Sequence, residues 1–268
     1  MIQKELTQSS LFTALIHELE HYFSKSRSWD SLDSFDAQRE ILSRHLSDRH
    51  KVMSLLLDAI GAIGDGTMPR GASYQHAHGF TKLSLYRSET QGFNVRLHIW
   101  WTGEQASDDS PHEHRWSFCS RLLSGSLHIL NYAKIPTGER ERIRNAFPLH
   151  SYRYFDADPD GSKIVEPAGT QYVVLASEYV LSEGASHQLW YTEPHQVLGL
   201  SGPVAATLVV TGPPEREYSN VYRPAEFDGY LRRLPSSQLS TAEICAVIAA
   251  YVRTFMTRGI NDVVGDGS

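Results

Sequence analysis

Between residues 70 and 215 the chain consists of short segments whose apolar and polar residues alternate, with Gly, Pro, Asp and Ser between them. Such alternation is typical of strands that bury one face, and the turn-forming residues mark where strands end. Many short strands in succession favour a sandwich or a barrel. The segments predicted to be strands are residues 80–86, 93–101, 121–132, 171–181, 187–191, 196–200 and 205–211, while residues 134–170 are predicted to be an inserted loop.

Helical periodicity flanks this strand-rich region on both sides. Apolar residues recur at helical spacing from about residue 8 to residue 62, after Ser9 or Ser10, either of which is suited to cap the first helix. Near the other end, Ser240 and Glu243 fit a capping box that precedes another helical pattern. The sequence therefore predicts an N-terminal helical segment at 1–66, a β barrel at 67–216 and a helical tail at 217–268.

Composition argues against several classes of function. The formal net charge of −6 gives no electrostatic basis for binding nucleic acid or an anionic membrane. The chain has 2 cysteines, which implies no disulfide framework, and it has no apolar run of signal-peptide or membrane-spanning length. We therefore expect a cytoplasmic protein whose partner is a small molecule and which binds neither nucleic acid nor membrane.

The residues best suited to carry chemistry are His112 and His114. On a strand, side chains two residues apart project to the same face, so the two imidazoles would lie side by side. Neutral imidazoles bind several transition metals, so this pair is the beginning of a metal site. A second pair with the same spacing, His76 and His78, is interpreted as a loop or as the rim of a pocket.

With the strands around it, the histidine pair resembles the first motif of the cupin family, in which Gly125 would be the closing glycine. The resemblance covers roughly residues 70–215 and implies a mainly β fold, a jelly-roll barrel with helices before and after it. It also implies a third metal ligand, a histidine that follows a glycine by eleven residues. His195 stands eleven residues after Gly184 and is the expected ligand, and His187, which also follows Gly184, is the alternative.

Cupins usually have a Glu four or five residues after the second histidine, and here Phe118 and Cys119 stand at those places. A three-histidine site without the Glu resembles the thiol dioxygenase branch, the cysteine dioxygenase type, whose members have a Cys where Cys119 stands. That resemblance implies a catalytic role for Cys119 and for Arg87, which would hold a substrate carboxylate. Counting back from the closing glycine favours Phe118 instead, so the position stays open. The branch's Ser-His-Tyr relay and its Cys–Tyr cross-link are not expected, since other residues take those positions: Thr207, Val209 and Thr211.

Further candidates follow from alternation along the strand at 93–101. If Leu97 and Ile99 pack on the core, then Arg96, His98 and Trp100 share the opposite face. On an inward face, the arginine could hold a carboxylate, the histidine could move protons and the tryptophan could form an aromatic wall. The alternative interpretation is the solvent face of an edge strand.

These features predict a mononuclear non-heme iron oxygenase that uses O2 and a small anionic substrate, such as a thiol or an amino-acid derivative. Three histidines without a carboxylate would keep the site dicationic, which suits an anionic chelating substrate. Fe(II) is the metal expected first, and Zn, Ni, Cu and Mn are alternatives. Two other functions remain open: a metal-dependent isomerase, lyase or decarboxylase of a biosynthetic pathway, and a non-enzymatic cupin that binds a small molecule. The sequence does not predict the oligomeric state.

Overall fold

The computed structural model describes residues 10–26, 28–29, 31–66, 70–76, 78–103, 110–156, 163–224 and 238–264. Within these ranges the helices are α1 (Leu11–Lys25), α2 (Leu32–His45), α3 (Arg49–Gly64) and α4 (Thr241–Val264), and a 3-10 helix spans Thr137–Arg142. The strands are β1 (Tyr74–His76), β2 (Phe80–Arg87), β3 (Asn94–Trp101), β4 (Phe118–Ile135), β5 (Phe147–Asp156), β6 (Lys163–Ser182), β7 (Ser186–Leu189), β8 (His195–Thr211) and β9 (Tyr218–Arg223).

These strands form one antiparallel sheet in the order β1-β2-β3-β8-β4-β6-β5-β9. The remaining strand, β7, pairs with β4. The start of β4 lies between β7 and β8, and its second half lies between β6 and β8. The predicted mainly β fold with helices at both ends is confirmed. The arrangement is consistent with a cupin-type jelly roll.

Three parts of the chain differ from the sequence prediction. Residues 134–170, predicted to be an inserted loop, contain β5 and the first part of β6, which pair with each other. The predicted helical tail at 217–268 begins with a strand instead, because β9 pairs with β5 and extends the sheet. The two strands predicted at 196–200 and 205–211 are parts of the single strand β8.

The helices begin at side chains that cap their first turns. The Oγ of Ser10 accepts a hydrogen bond from the backbone N–H of Thr13 at 3.1 Å. Ser10 is one of the two residues predicted to cap α1. At α4 the predicted capping box is confirmed: the Ser240 N–H donates to Glu243 Oε2 at 2.7 Å, and the Glu243 N–H donates to Ser240 Oγ at 3.3 Å. Among the described residues, none of the helices combines the length and the apolar character needed to cross a membrane.

One face of the sheet packs against the helices, and the other face carries polar and aromatic side chains. On β3, Leu97 and Ile99 are fully buried in the core shared with the helices. Because side chains alternate along a strand, Arg96, His98 and Trp100 lie on the opposite face, which we call the inner face. Arg96 is 8% and Trp100 is 9% exposed, so this is not the solvent face of an edge strand.

Candidate metal centre

A cross-strand pair brings two histidines together although they are far apart in sequence. The N–H of His112 donates to the carbonyl O of His195, and the N–H of His195 donates back to the carbonyl O of His112, both at 2.9 Å. Residues that exchange both backbone hydrogen bonds lie directly opposite each other and project their side chains to the same face. The two ring centroids are consequently 4.7 Å apart.

His114 completes the group from the same face, two residues after His112. Its Nε2 lies 3.0 Å from the Nε2 of His195. Ligand nitrogens held about 2.1 Å from one ion, at right angles to each other, lie about 3 Å apart, so this spacing fits a shared metal. The ligand atoms of His112, His114 and His195 all lie within 4.8 Å of one another, and we call these residues the histidine cluster.

The imidazoles of the cluster are held in the neutral form that binds metals. Burial, with further effects from nearby His78 and Arg96, lowers the pKa of His114 to about 3. Burial also lowers the pKa values of His112 and His195 well below the ordinary 6.5. The Nδ1 of His112 lies 3.1 Å from the carbonyl O of Ser110, to which it can donate, leaving Nε2 as the acceptor. Such a contact fixes the tautomer that a metal ligand needs.

The residues that follow the cluster along the chain separate onto two faces. The Phe118 ring lies 5.2 Å from the ring of His114 and therefore takes the position left open by the sequence. Cys119 is fully buried on the opposite face, in the core shared with the helices. Strand alternation turns the Cys119 thiol away from the cluster, which argues against its predicted catalytic role. Burial also raises the pKa of this thiol to about 12.

His187, the alternative third ligand, lies beside the cluster but outside it. Its ring centroid is 5.8 Å from that of His195, and it is not part of the group whose ligand atoms lie within 4.8 Å. Within the described part of the chain, its buried Nε2 has no hydrogen-bond partner. Burial lowers the pKa of His187 to about 4, so this ring is neutral at physiological pH.

The two arginines predicted as anion-binding candidates lie in different places. The Arg96 guanidinium lies over the Trp116 ring at 4.2 Å, on the inner face, and its charge contributes to the lowered pKa values of His98 and His114. Arg87 is exposed at the last residue of β2. The structure thus brings Arg96 to the cluster and does not bring Arg87 there.

Sequence reasoning underestimated some of the neighbours of the cluster. The His78 ring stacks on the ring of His112, with centroids 4.0 Å apart and planes 11° apart, so the predicted pocket rim touches the cluster directly. Lys82 pairs across the sheet with His98 and contributes to the lowering of its pKa. Lys82 could have been recognised from the sequence as a residue of the inner face, because it lies opposite His98 in the pairing of β2 with β3. Glu113, between the two histidines of the motif, is fully buried, which no pattern in the sequence indicates.

Several solved structures of cupin-fold proteins are similar to this chain at low identity. A structure of the DMSP lyases RdDddP and RnDddQII is 17% identical, with 75% of this chain and 92% of that chain covered and a TM-score of 0.34. FeII HppE is 15% identical, with 53% and 55% covered and a TM-score of 0.29. Hydroquinone 1,2-dioxygenase from Sphingomonas sp. TTNP3 with 4-hydroxybenzoate bound is 10% identical, with 50% and 65% covered and a TM-score of 0.28.

The match thus spans less than two thirds of the HppE and hydroquinone dioxygenase chains. With TM-scores of 0.34 or lower, these likenesses assign neither the fold nor the chemistry of this chain, which follow from its own strands and side chains. No protein family description matches the chain. No curated protein matches it either.

Proposed function

We propose that the chain is a metal-dependent enzyme, a mononuclear non-heme iron oxygenase that acts on a small anionic substrate with O2. The observation that carries the proposal is the histidine cluster, in which three ligand atoms converge within 4.8 Å. Burial holds all three rings neutral, so no proton has to leave before a metal binds.

The donor set fits Fe(II). Imidazole suits Fe, Zn, Ni and Cu, and the group of described ligands contains no carboxylate that would reduce the charge of the ion. When bound, Fe(II) would supply a Lewis-acidic and redox-active centre with open positions for other ligands. Zn, Ni, Cu and Mn remain alternative occupants of the same three imidazoles.

Arg96 is the proposed anchor for the anionic group of the substrate. Its guanidinium is braced on the Trp116 ring at 4.2 Å and lies close enough to His114 to lower the pKa of that ring. A planar guanidinium held in this way suits bidentate pairing with a carboxylate. Phe118, Leu189 and Val209 form an apolar cluster beside the histidines, and Trp116 packs against it.

A thiol substrate is not specifically favoured. The resemblance to thiol dioxygenases depends partly on Cys119, whose side chain lies in the core between the sheet and the helices. We therefore propose a substrate defined by its anionic group rather than by a thiol.

A second candidate is a non-oxidative isomerase, lyase or decarboxylase that uses the same metal. The observation that favours it is His98, whose buried Nε2 has no hydrogen-bond partner among the described atoms. Burial, followed by the charges of Arg96 and Lys82, keeps the pKa of His98 well below its ordinary value, so its ring is neutral and one of its nitrogens carries no proton.

The test is anaerobic purification with metal quantitation, followed by O2-uptake measurements and ultraviolet–visible spectra of the iron form with nitric oxide and candidate anionic substrates. We expect about one iron per chain, a nitric oxide spectrum that changes when substrate is added, and substrate-dependent O2 uptake. His112→Ala and His195→Ala should abolish metal retention, while the matched variant His187→Ala should retain it.

Full metal occupancy in His112→Ala would refute the site. Loss of metal in His187→Ala with retention in His195→Ala would show that His187, and not His195, is the third ligand. Bound zinc without O2 consumption would favour the second candidate over the oxygenase.

A further inference from the structure

The residue between the two histidines of the motif is a buried carboxylate. Glu113 is fully buried, and alternation places its side chain on the face opposite to His112 and His114. Its backbone N–H donates to the carbonyl O of Asn220 at 2.8 Å, which fixes this segment against β9. A buried carboxylate is costly unless it is paired and hydrogen-bonded, so its surroundings need an explanation.

Four side-chain donors surround this carboxylate. Lys134 Nζ lies 2.8 Å from Oε1, and Arg216 Nη2 lies 2.6 Å from Oε2. The Asn220 amide donates to Oε2 at 2.8 Å, and the Tyr222 hydroxyl donates to Oε1. A carboxylate has about four acceptor positions, so Glu113 is fully satisfied. Its partners come from β4, from the segment before β9 and from β9 itself.

Arg216 connects this carboxylate with both segments that carry the histidine cluster. Besides Glu113, its Nη2 donates to the carbonyl O of His114 at 2.8 Å and to the carbonyl O of Tyr191 at 2.9 Å. Tyr191 belongs to the turn that leads directly into His195. One guanidinium group therefore joins the backbone of the His-x-His segment to the turn before the third histidine.

The same contacts balance charge behind the cluster. The guanidinium of Arg216 contacts the backbone of His114, so its positive charge lies behind the cluster and opposes a cation bound there. Glu113 is paired with Arg216 and with Lys134 and offsets part of their charge. Without the carboxylate, both cations would act on a bound metal with less compensation.

We propose that Glu113 and Arg216 are positioning residues of the metal site. Their ion pair sets the orientation of His112, His114 and His195, and the carboxylate of Glu113 offsets part of the positive charge of Arg216 and Lys134, which would otherwise oppose a bound metal. This inference rests on the proposed function, since it requires that the histidine cluster binds a divalent metal.

The test compares purified full-length variants that change the pair in different ways. Glu113→Gln keeps the size of the side chain and removes its charge, while Arg216→Lys keeps the charge and removes the forked geometry. Glu18→Gln is the matched control, because Glu18 pairs with Arg44 and His45 between α1 and α2. The measurements are the Kd for Co(II) and Zn(II) by competition with a chelating indicator, the visible spectrum of the Co(II) form and the Tm of the metal-free protein.

We expect Glu113→Gln to weaken metal binding by about 10-fold or more, as replacing residues that support metal ligands typically does. Arg216→Lys should change the Co(II) spectrum, because the two ligand-bearing segments are no longer held by one group. Glu18→Gln should lower Tm and leave both the Kd and the spectrum as in the wild type.

A Glu113→Gln protein with a lowered Tm but an unchanged Kd and spectrum would reduce the carboxylate to a structural role and overturn the inference. If Glu113→Gln does not fold, an unchanged Kd and spectrum in Arg216→Lys would overturn it equally. Wild-type protein that binds neither Co(II) nor Zn(II) would instead refute the proposed function, and the positioning role with it.

Discussion

The face of the strand on which a side chain lies decides what that residue can do. Phe118 is adjacent in sequence to Cys119, yet its ring lies 5.2 Å from that of His114 while the Cys119 thiol is buried against the helices. Burial is the main cause of the raised pKa of this thiol, about 12, so hardly any reactive thiolate exists at neutral pH. Cys119 is therefore a core residue.

We predict that Cys119 is inert in the folded protein. In a Cys245→Ser background, a thiol reagent at pH 8 should modify native Cys119 at least about 100-fold more slowly than in urea, because thiolate is scarce and access is blocked. Labelling followed by mass spectrometry measures both rates. Cys119→Ala should retain the metal occupancy of the wild type. Rapid labelling of native protein, or loss of metal in Cys119→Ala, would contradict this prediction and support a role for Cys119 in the metal site.

At the scale of elements, the strands that sequence reasoning recognised are those with a regular buried face. β3 was predicted because Val95, Leu97 and Ile99 alternate with inner-face residues, and all three are fully buried. The hairpin of β5 and β6 was missed because the first part of β6, residues 163–170, has no such pattern. Its residues 166–170 are exposed, and this stretch includes Pro167 and Gly169. This first part of β6 is maintained by backbone pairing with β5, which leaves no local signal in the sequence.

Gly125 is a point where one strand passes close to another. Its φ is +77°, and an added Cβ would lie 2.6 Å from the carbonyl O of Val204 and 3.0 Å from the Cα of Ala205. Gly125→Ala should therefore lower the free energy of unfolding by about 2–4 kcal/mol, from backbone strain together with the clash against β8. Urea denaturation at equilibrium measures the change.

Gly103→Ala is the matched control for this prediction. Gly103 also has a positive φ, +91°, but an added Cβ would meet nothing within 4 Å. Its replacement should cost about 1 kcal/mol, from the strained backbone alone. Equal effects at the two positions would show that the close approach of β4 and β8 contributes nothing to stability.

At the scale of the whole molecule, the site is assembled from segments that are distant in sequence. His112, His114 and His195 could be predicted because strand periodicity and a family resemblance both depend on spacing along the chain. The surroundings of Glu113 could not. Its partners are Lys134, Arg216, Asn220 and Tyr222. They come together because β9 pairs with β5, β5 pairs with β6 and β6 pairs with β4. The spacing of residues along the chain does not indicate that order of strands.

Buried neutral histidines also make the whole fold sensitive to acid. Burial, followed by the charges of Arg96 and Lys82, holds the pKa of His98 well below its ordinary value of 6.5. Burial lowers the pKa of His187 to about 4. The unfolded chain takes up protons on these side chains near pH 6.5, while the folded chain does so only at lower pH. The unfolded state thus binds more protons in this window, and the free energy of unfolding falls as the pH is lowered from about 6.5 toward 4.

We predict that this loss can be assigned to individual rings. Each buried histidine adds up to about 1.4 kcal/mol per pH unit to the slope of the free energy of unfolding against pH. Urea denaturation of metal-free protein at pH 7, 6 and 5 should give a shallower slope in His98→Gln, by about one proton, because glutamine does not titrate. A wild-type slope in His98→Gln would show that His98 titrates in the folded protein as it does in the unfolded chain, and it would contradict the prediction.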